Sequence, residues 1–267
     1  MHAPTGKRLA DRRINTLSFG QTDVGMRRDH NEDSLLVNDD QRLYVVADGM
    51  GGHAGGEMAS KIAVSTIDEF VSTEMSPLLN GQKFKGPIEQ HPALMVLPNA
   101  VKAACAQIFR TAQEMPDLQG MGTTVTAVSF VDSFAFFAHV GDSRAYLVRD
   151  GHIEQLSEDH SLVNEQLKAG LITEEQARMS RFKNIITRSV GFEEDVAVDT
   201  MVVPIQPGDI YLLCSDGLAN LASDVEMRDI AYENFLRDVP QRLIDLANDR
   251  GGDDNITVIT VYVNGDE

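Results

Sequence analysis

The chain has 267 residues, long enough to bury a sizeable core in one large α/β or β-rich domain. Its 23 Lys plus Arg against 41 Asp plus Glu give a formal charge of −18, which argues against a nucleic-acid partner and against adhesion to an anionic membrane. The 2 cysteines read as no disulfide framework and fit a reducing, cytoplasmic setting; no signal peptide and no apolar run of about 18 residues is read.

Residues 1–17 read as a flexible leader, followed by a single domain over 18–264. Ser34–Val37 and Leu43–Ala47 are short apolar runs joined by the polar turn NDDQR, a hairpin pattern. Glu57–Val71 has helical spacing, with Ala59, Ile62, Ala63, Ile67 and Phe70 on one face. Pro77, Pro87, Pro92 and Pro98 mark 73–98 as a surface loop or insertion. Asn99–Gln113 is a second helix with Asn99 as its cap. Four β-type runs follow, Thr123–Val131, Phe134–Val140, Ala145–Val148 and Ile153–Leu156, the last two joined by the turn pair Asp150-Gly151. Residues 160–188 are helical and loop-like. Ile210–Cys214 is a strand, 223–250 is mostly helical, and Ile256–Val263 is a terminal strand. Adjacent strands with short turns imply antiparallel sheets, and helices outside them a layered α+β domain.

Acidity this strong usually reflects a solvated, self-repelling surface, but some carboxylates can be gathered to hold cations. If the first hairpin pairs residues i and j with i + j = 81, Asp33 faces Asp48. Their Cβ atoms would then lie about 5 Å apart, and the carboxylates would repel by roughly 3–4 kcal/mol at an effective dielectric near 20. A divalent cation turns that cost into binding. Asp142 and Asp216 also follow strands, and Asp254 precedes one. Without His or Cys in the set, oxygen ligation suits Mg²⁺ or Mn²⁺ over Zn²⁺. Against this, Asp-Gly is chiefly a turn dipeptide, and spacing alone leaves both readings open.

Gly49-Met50-Gly51-Gly52-His53-Ala54 competes as a dinucleotide-binding turn of the G-x-G-x-x-A type. Asp48 beside a pyrophosphate and the lack of a following parallel strand count against it. Cys214 lacks an Arg six residues on, where Asn220 stands, so it reads with Cys105 as a buried residue. Ser143 in GDSRA lacks the second Gly of a nucleophile elbow, and no Walker A sequence occurs.

Eight motifs occur in order: TDVGMRRDHNEDS (22–34), VVADGMGGHAGGEMAS (45–60), MGTTVTA (121–127), HVGDSRAY (139–146), DHSLV (159–163), ITRSVG (186–191), LLCSDGL (212–218) and GGDDNITV (251–258). Together they resemble the bacterial branch of the metal-dependent Ser/Thr protein phosphatases of the 2C type, the PPM family, over about residues 18–263. The resemblance implies a four-layer α-β-β-α sandwich, two antiparallel sheets flanked by helices. It implies two core Mn²⁺ or Mg²⁺ ions held by Asp33, Asp48, Asp216, Asp254 and the Gly49 carbonyl. Bacterial members often bind a third ion, and Asp142 matches its ligand. Glu32 and Asn255 stand beside the ligands. Arg28, five residues before Asp33, matches the phosphate-binding Arg, and Arg27 reads as a solvated charge. Arg28, Asp33 and Asp48 are thus the expected catalytic residues.

The implied reaction is hydrolysis of phosphoserine and phosphothreonine by a metal-activated water, with no covalent intermediate, opposing a bacterial Ser/Thr kinase in the cytoplasm. Arg28 would clamp the phosphoryl group through its planar fork. The phosphatase would act as a monomer on phosphorylated proteins. Met50 stands where eukaryotic members carry His, so the general acid stays unassigned. His53, His139 and His160 read as structural. Residues 160–188 match the mobile flap beside the site; its Lys168, Arg178, Arg181, Lys183 and Arg188 either steer a phosphopeptide or form a solvated face. The same fold acting on a non-protein phosphoester, or as a non-catalytic phospho-binding regulator, remains as an alternative. Two bound divalent ions would bring the charge to −18 + 4 = −14.

Overall fold

The structure, a computed structural model, describes residues 15–52, 54–80, 84–182 and 184–265. Two antiparallel sheets face one another. One has the strand order β1 (Asn15–Asp23), β11 (Ile256–Asn264), β10 (Ile210–Cys214), β7 (Arg144–Arg149), β8 (His152–Gln155). The other runs β2 (Asp33–Asn38), β3 (Leu43–Met50), β5 (Val125–Val131), β6 (Phe134–Val140), β9 (Asp199–Pro204), with the two-residue β4 (Gly122–Thr123) pairing with the end of β3.

The strands are apolar on both faces because both faces are covered. In β3, Tyr44 and Val46 point between the sheets, where they join Val128, Phe130, Tyr211, Leu213, Ile259 and Val261. Leu43, Val45 and Ala47 point the other way, onto α1 (Ala54–Asn80) and α2 (Ala93–Glu114). Helix α1 presents Ala59, Ala63, Ile67, Val71 and Met75, one residue per turn, all with no exposed surface. The outer face of the β1-β11-β10-β7-β8 sheet is covered by α6 (Asp224–Glu233) and α7 (Val239–Asp249), through Met227, Ala231, Leu243, Ile244 and Ala247. The layers are therefore α-β-β-α, as the resemblance implied.

Three readings from sequence need correction. Residues 73–98 are not one loop: α1 continues through Pro77 to Asn80, and α2 starts at Ala93 with Pro92 as its N-cap. Asn99 accordingly lies inside α2 and does not cap it. Pro98 sits in the helix interior and costs it a backbone bond, but neighbouring Val96, Leu97, Ala100 and Val101 are buried and hold the turn in place. Thirdly, β1 takes in Asn15–Leu17, part of the expected leader; residues 1–14 lie outside the described residues.

Strands β1 and β9 lay hidden in the sequence because both are edge strands, half exposed and mixed in polarity. The Asp150-Gly151 hairpin turn is as expected, with φ of 51° and 79° at its two residues, the left-handed region a two-residue turn of this kind requires.

Candidate metal centre and phosphate site

The site forms where strand ends of both sheets meet. Asp33 opens β2 and pairs with Asp48 of β3, the register given by i + j = 81. Asp216 opens the short helix α5 (Asp216–Ala219) directly after β10, and Asp254 lies two residues before β11. Asp142 lies in the turn between β6 and β7. Sequence positions spread over more than 200 residues are thus brought to one end of the sandwich.

Gly49 follows Asp48 and is bonded through its N–H to the Glu32 carbonyl. A Cβ on Gly49 would overlap the Gly56 and Glu32 carbonyls, and a Cβ on Gly56 would overlap the Glu32 carboxylate. Both glycines are needed for α1 to start against the end of β3. Ser60 of α1 donates to the Glu32 carbonyl at 2.6 Å, which fixes Glu32 beside the cluster.

The carboxylates are costly as they stand. Asp33 is 7% exposed; its Oδ2 accepts from Thr257 Oγ1 at 2.6 Å, while its Oδ1 is buried without a hydrogen-bond partner. Burial pushes its pKa up to about 7, the hydroxyls of Thr257 and Ser215 pull it back, and Asp216 and Asp254 push it further. Asp142 is 6% exposed, has an orphaned Oδ1, and is pushed up to about 8, by burial first and then by Asp216 and Asp159. Asp48 is raised well above the usual carboxylate range by burial, then by Asp33, Asp216, Asp142 and Asp254. Asp216 accepts from Asn220 Nδ2 at 3.1 Å.

Among the described residues no three carboxylate, imidazole or thiol side chains are closed tightly enough to hold an ion as they stand. The donor chemistry nevertheless fits divalent cations. The donors are all oxygen, two buried carboxylate oxygens have no partner, and the mutual repulsion is what a hard cation relieves.

Arg28 lies on this cluster. Its Nη2 donates to Asp254 Oδ2 at 2.7 Å, while half of its side chain stays exposed. Arg27 is 70% exposed, with Asp253 at 3.9 Å, in keeping with a solvated charge. The loop carrying Arg28 is fastened by Asn255. Its Nδ2 donates to the carbonyls of Val24 and His30, both at 2.9 Å, and its Oδ1 accepts from Glu32 N–H at 2.8 Å. The sequence pattern carries no sign of this stapling at Asn255, because its partners are backbone groups more than 200 residues away.

The competing nucleophiles are disposed of by their surroundings. Cys214 is fully buried and its thiol is pushed up to about 12 by burial, so no thiolate forms near neutral pH. Cys105 is buried and raised likewise. The glycine-rich turn leads from β3, whose pairing with β2 and β5 is antiparallel, so the parallel unit of a dinucleotide fold is missing. His139 donates through Nε2 to the Glu158 carbonyl at 3.0 Å and accepts at Nδ1 from Thr126, at 2.9 Å. His160 accepts at Nδ1 from Gly141 N–H at 3.0 Å and has Asp199 Oδ2 at 3.1 Å from Nε2. Both are held as structural residues; His53 lies outside the described residues. In the 160–188 segment, Lys168 pairs with Glu158 and Arg188 with Asp199, so two of its five cations are already compensated. Lys183 lies outside the described residues.

Residues 26–253 match the protein family described as Protein phosphatase 2C. A serine/threonine phosphatase, stp, of Listeria welshimeri is 41% identical over 248 residues, covering 91% of this chain and 94% of that protein. The serine/threonine phosphatase PstP/Ppp of Mycobacterium tuberculosis superposes with a TM-score of 0.83 at 34% identity, covering 93% of this chain and 99% of that one. A PstP catalytic domain solved in complex with two manganese ions gives 0.81 at 33% identity, covering 94% and 100%. The chain therefore belongs to the protein phosphatase 2C family, and it is a protein phosphatase.

Proposed function

We propose that the chain hydrolyses phosphoserine and phosphothreonine in proteins with Mn²⁺ or Mg²⁺, opposing a Ser/Thr kinase, as a monomer in the cytoplasm. The observation that carries the reading is the convergence of Asp33, Asp48, Asp142, Asp216 and Asp254 at one end of the sandwich, with Asp33, Asp48 and Asp142 raised in pKa and two buried carboxylate oxygens orphaned. Two free buried cysteines suit a reducing compartment, and among the described residues no helix is long and apolar enough to cross a membrane. The manganese-bound PstP relative supports the choice of ion.

Asp33, Asp48, Asp216, Asp254 and the Gly49 carbonyl would hold the two core ions, and Asp142 a third. When bound, such ions supply a nucleophilic water near neutral pH and charge stabilisation for the phosphoryl group. The chain's own groups do the rest. Arg28 binds two phosphoryl oxygens through its fork, exchanging its bond to Asp254 for the substrate. Glu32 borders the cluster, and Asn255 keeps the Arg28 loop in register. We propose that 160–188 acts as a flap subdomain of the one catalytic domain.

Release of phosphate from a phosphothreonine peptide, measured with Mn²⁺ and with excess chelator, tests this. Mn²⁺-dependent release is expected; folded protein that releases no phosphate with Mn²⁺ overturns the reading.

A further inference from the structure

We propose that the groove leading away from the carboxylate cluster binds the polypeptide next to the phosphorylated residue and selects segments that carry Lys or Arg. This rests on the phosphatase reading and names its substrate class more narrowly.

The groove has a volume of about 840 Å³, far larger than a phosphoryl group needs and within the range of sites that enclose an extended ligand. Asp142 and Asp216 lie along it, so it is continuous with the candidate metal centre, and Asp142 contributes its orphaned, buried Oδ1. Val163 and Leu167 of α3 (Leu162–Lys168) form one apolar wall, and Leu221 and Val225, at and before the start of α6, form another.

Its charge is what makes it selective. Two guanidinium groups line it, and both are already engaged. Arg144 is locked on Asp159, with Nε at 2.9 Å from Oδ1 and Nη2 at 2.6 Å from Oδ2. Arg250 donates to Glu226 Oε2 at 2.9 Å and to the Leu221 carbonyl at 2.6 Å. That leaves Glu174, which opens α4 (Glu174–Arg178), and Asp224, which opens α6. Among the described residues neither makes an ion pair. The nearby Lys168 and Arg188 are taken by Glu158 and Asp199 and do not turn the groove positive. An acidic segment laid here meets Glu174 and Asp224 as like charges, and a Lys or Arg meets them as open carboxylates over an apolar wall that accepts its aliphatic stem.

The test uses phosphothreonine peptides identical except for Arg, Ala or Glu at one flanking position at a time, assayed with Mn²⁺ at low salt. A small aryl phosphate, too short to reach the groove, reports the chemistry separately. On one side of the phosphothreonine, Arg should exceed Glu in kcat/KM by about 5- to 10-fold, from two partly exposed pairs. The ratio should fall toward one in about 0.5 M salt and in a Glu174→Gln/Asp224→Asn double variant. Equal kcat/KM for the Arg and Glu peptides, with the aryl phosphate still turned over, overturns the proposal and leaves the phosphatase reading standing. An Arg preference unchanged by the double variant overturns the assignment to this groove. No turnover of the aryl phosphate overturns the phosphatase reading and the proposal with it. The unsubstituted protein's own preference decides first, so a double variant that fails to fold does not remove the test.

Discussion

Asp48 shows how function and stability oppose one another within a single side chain. It sits opposite Asp33 and inside the field of three further carboxylates, so without a cation it weakens the fold. Asp48→Asn keeps the shape and removes one charge. It should lower Mn²⁺-dependent turnover by roughly 100-fold or more and stabilise the chelated protein by about 1 kcal/mol, read from phosphate release and urea unfolding. Added Mn²⁺ should raise the melting temperature of the unsubstituted protein far more than that of the variant. His139 gives the opposite case, a buried group that must stay neutral. Burial first, then the neighbouring His160, hold it down to about 4. Its unfolded value is near 6.5, so the unfolded chain takes the proton first as pH falls. Its contribution is full above pH 6.5 and is lost between 6.5 and 4, by about 3 kcal/mol. Unfolding free energy measured across that range should show this slope, and His139→Gln should flatten it. The five aspartates were legible from sequence because each stands at the end of an apolar run. The staple at Asn255 was not, because side chain to backbone bonds leave no pattern in residue type.

At the scale of elements, the joint between β3 and α1 is the most constrained. Gly49 must lie against the Gly56 and Glu32 carbonyls for the helix to start where it does. Gly49→Ala should cost about 2–3 kcal/mol, seen as a lowered thermal midpoint, because backbone on both sides must shift. The β2–β3 register was readable because a short polar turn joining two adjacent apolar runs leaves few ways to pair. The prolines misled for a physical reason. Pro92 stands just ahead of a helix, where its missing N–H costs nothing, and Pro98 is carried by the buried residues around it. Edge strands β1 and β9 are only partly buried and mixed in polarity, so their pattern does not announce a strand.

For the molecule as a whole, three buried clusters hold the layers together. Each fully buried large side chain contributes about 1.5–3 kcal/mol, so dozens of them outweigh the roughly 3–4 kcal/mol of one opposed carboxylate pair. The net charge of −18 still acts on the folded state through self-repulsion. Raising NaCl from about 20 to 200 mM should therefore lift the melting temperature of the chelated protein by about 2 °C or more, followed by circular dichroism. The layered class was readable from strand and helix order, whereas the pairing of β1 with β11 spans almost the whole described chain and no local signal encodes it. That pairing bears on synthesis. β11 is made after every other strand of the two sheets, yet it lies between β1 and β10, and the segment just before it carries Asp254 and Asn255. A nascent chain thus has an open seam down one sheet until β11 emerges, and β1 waits for a partner until then. The same late segment completes the acidic centre, so a truncated product lacks both its fold and its site, and a half-made phosphatase cannot act on the cell's phosphoproteins.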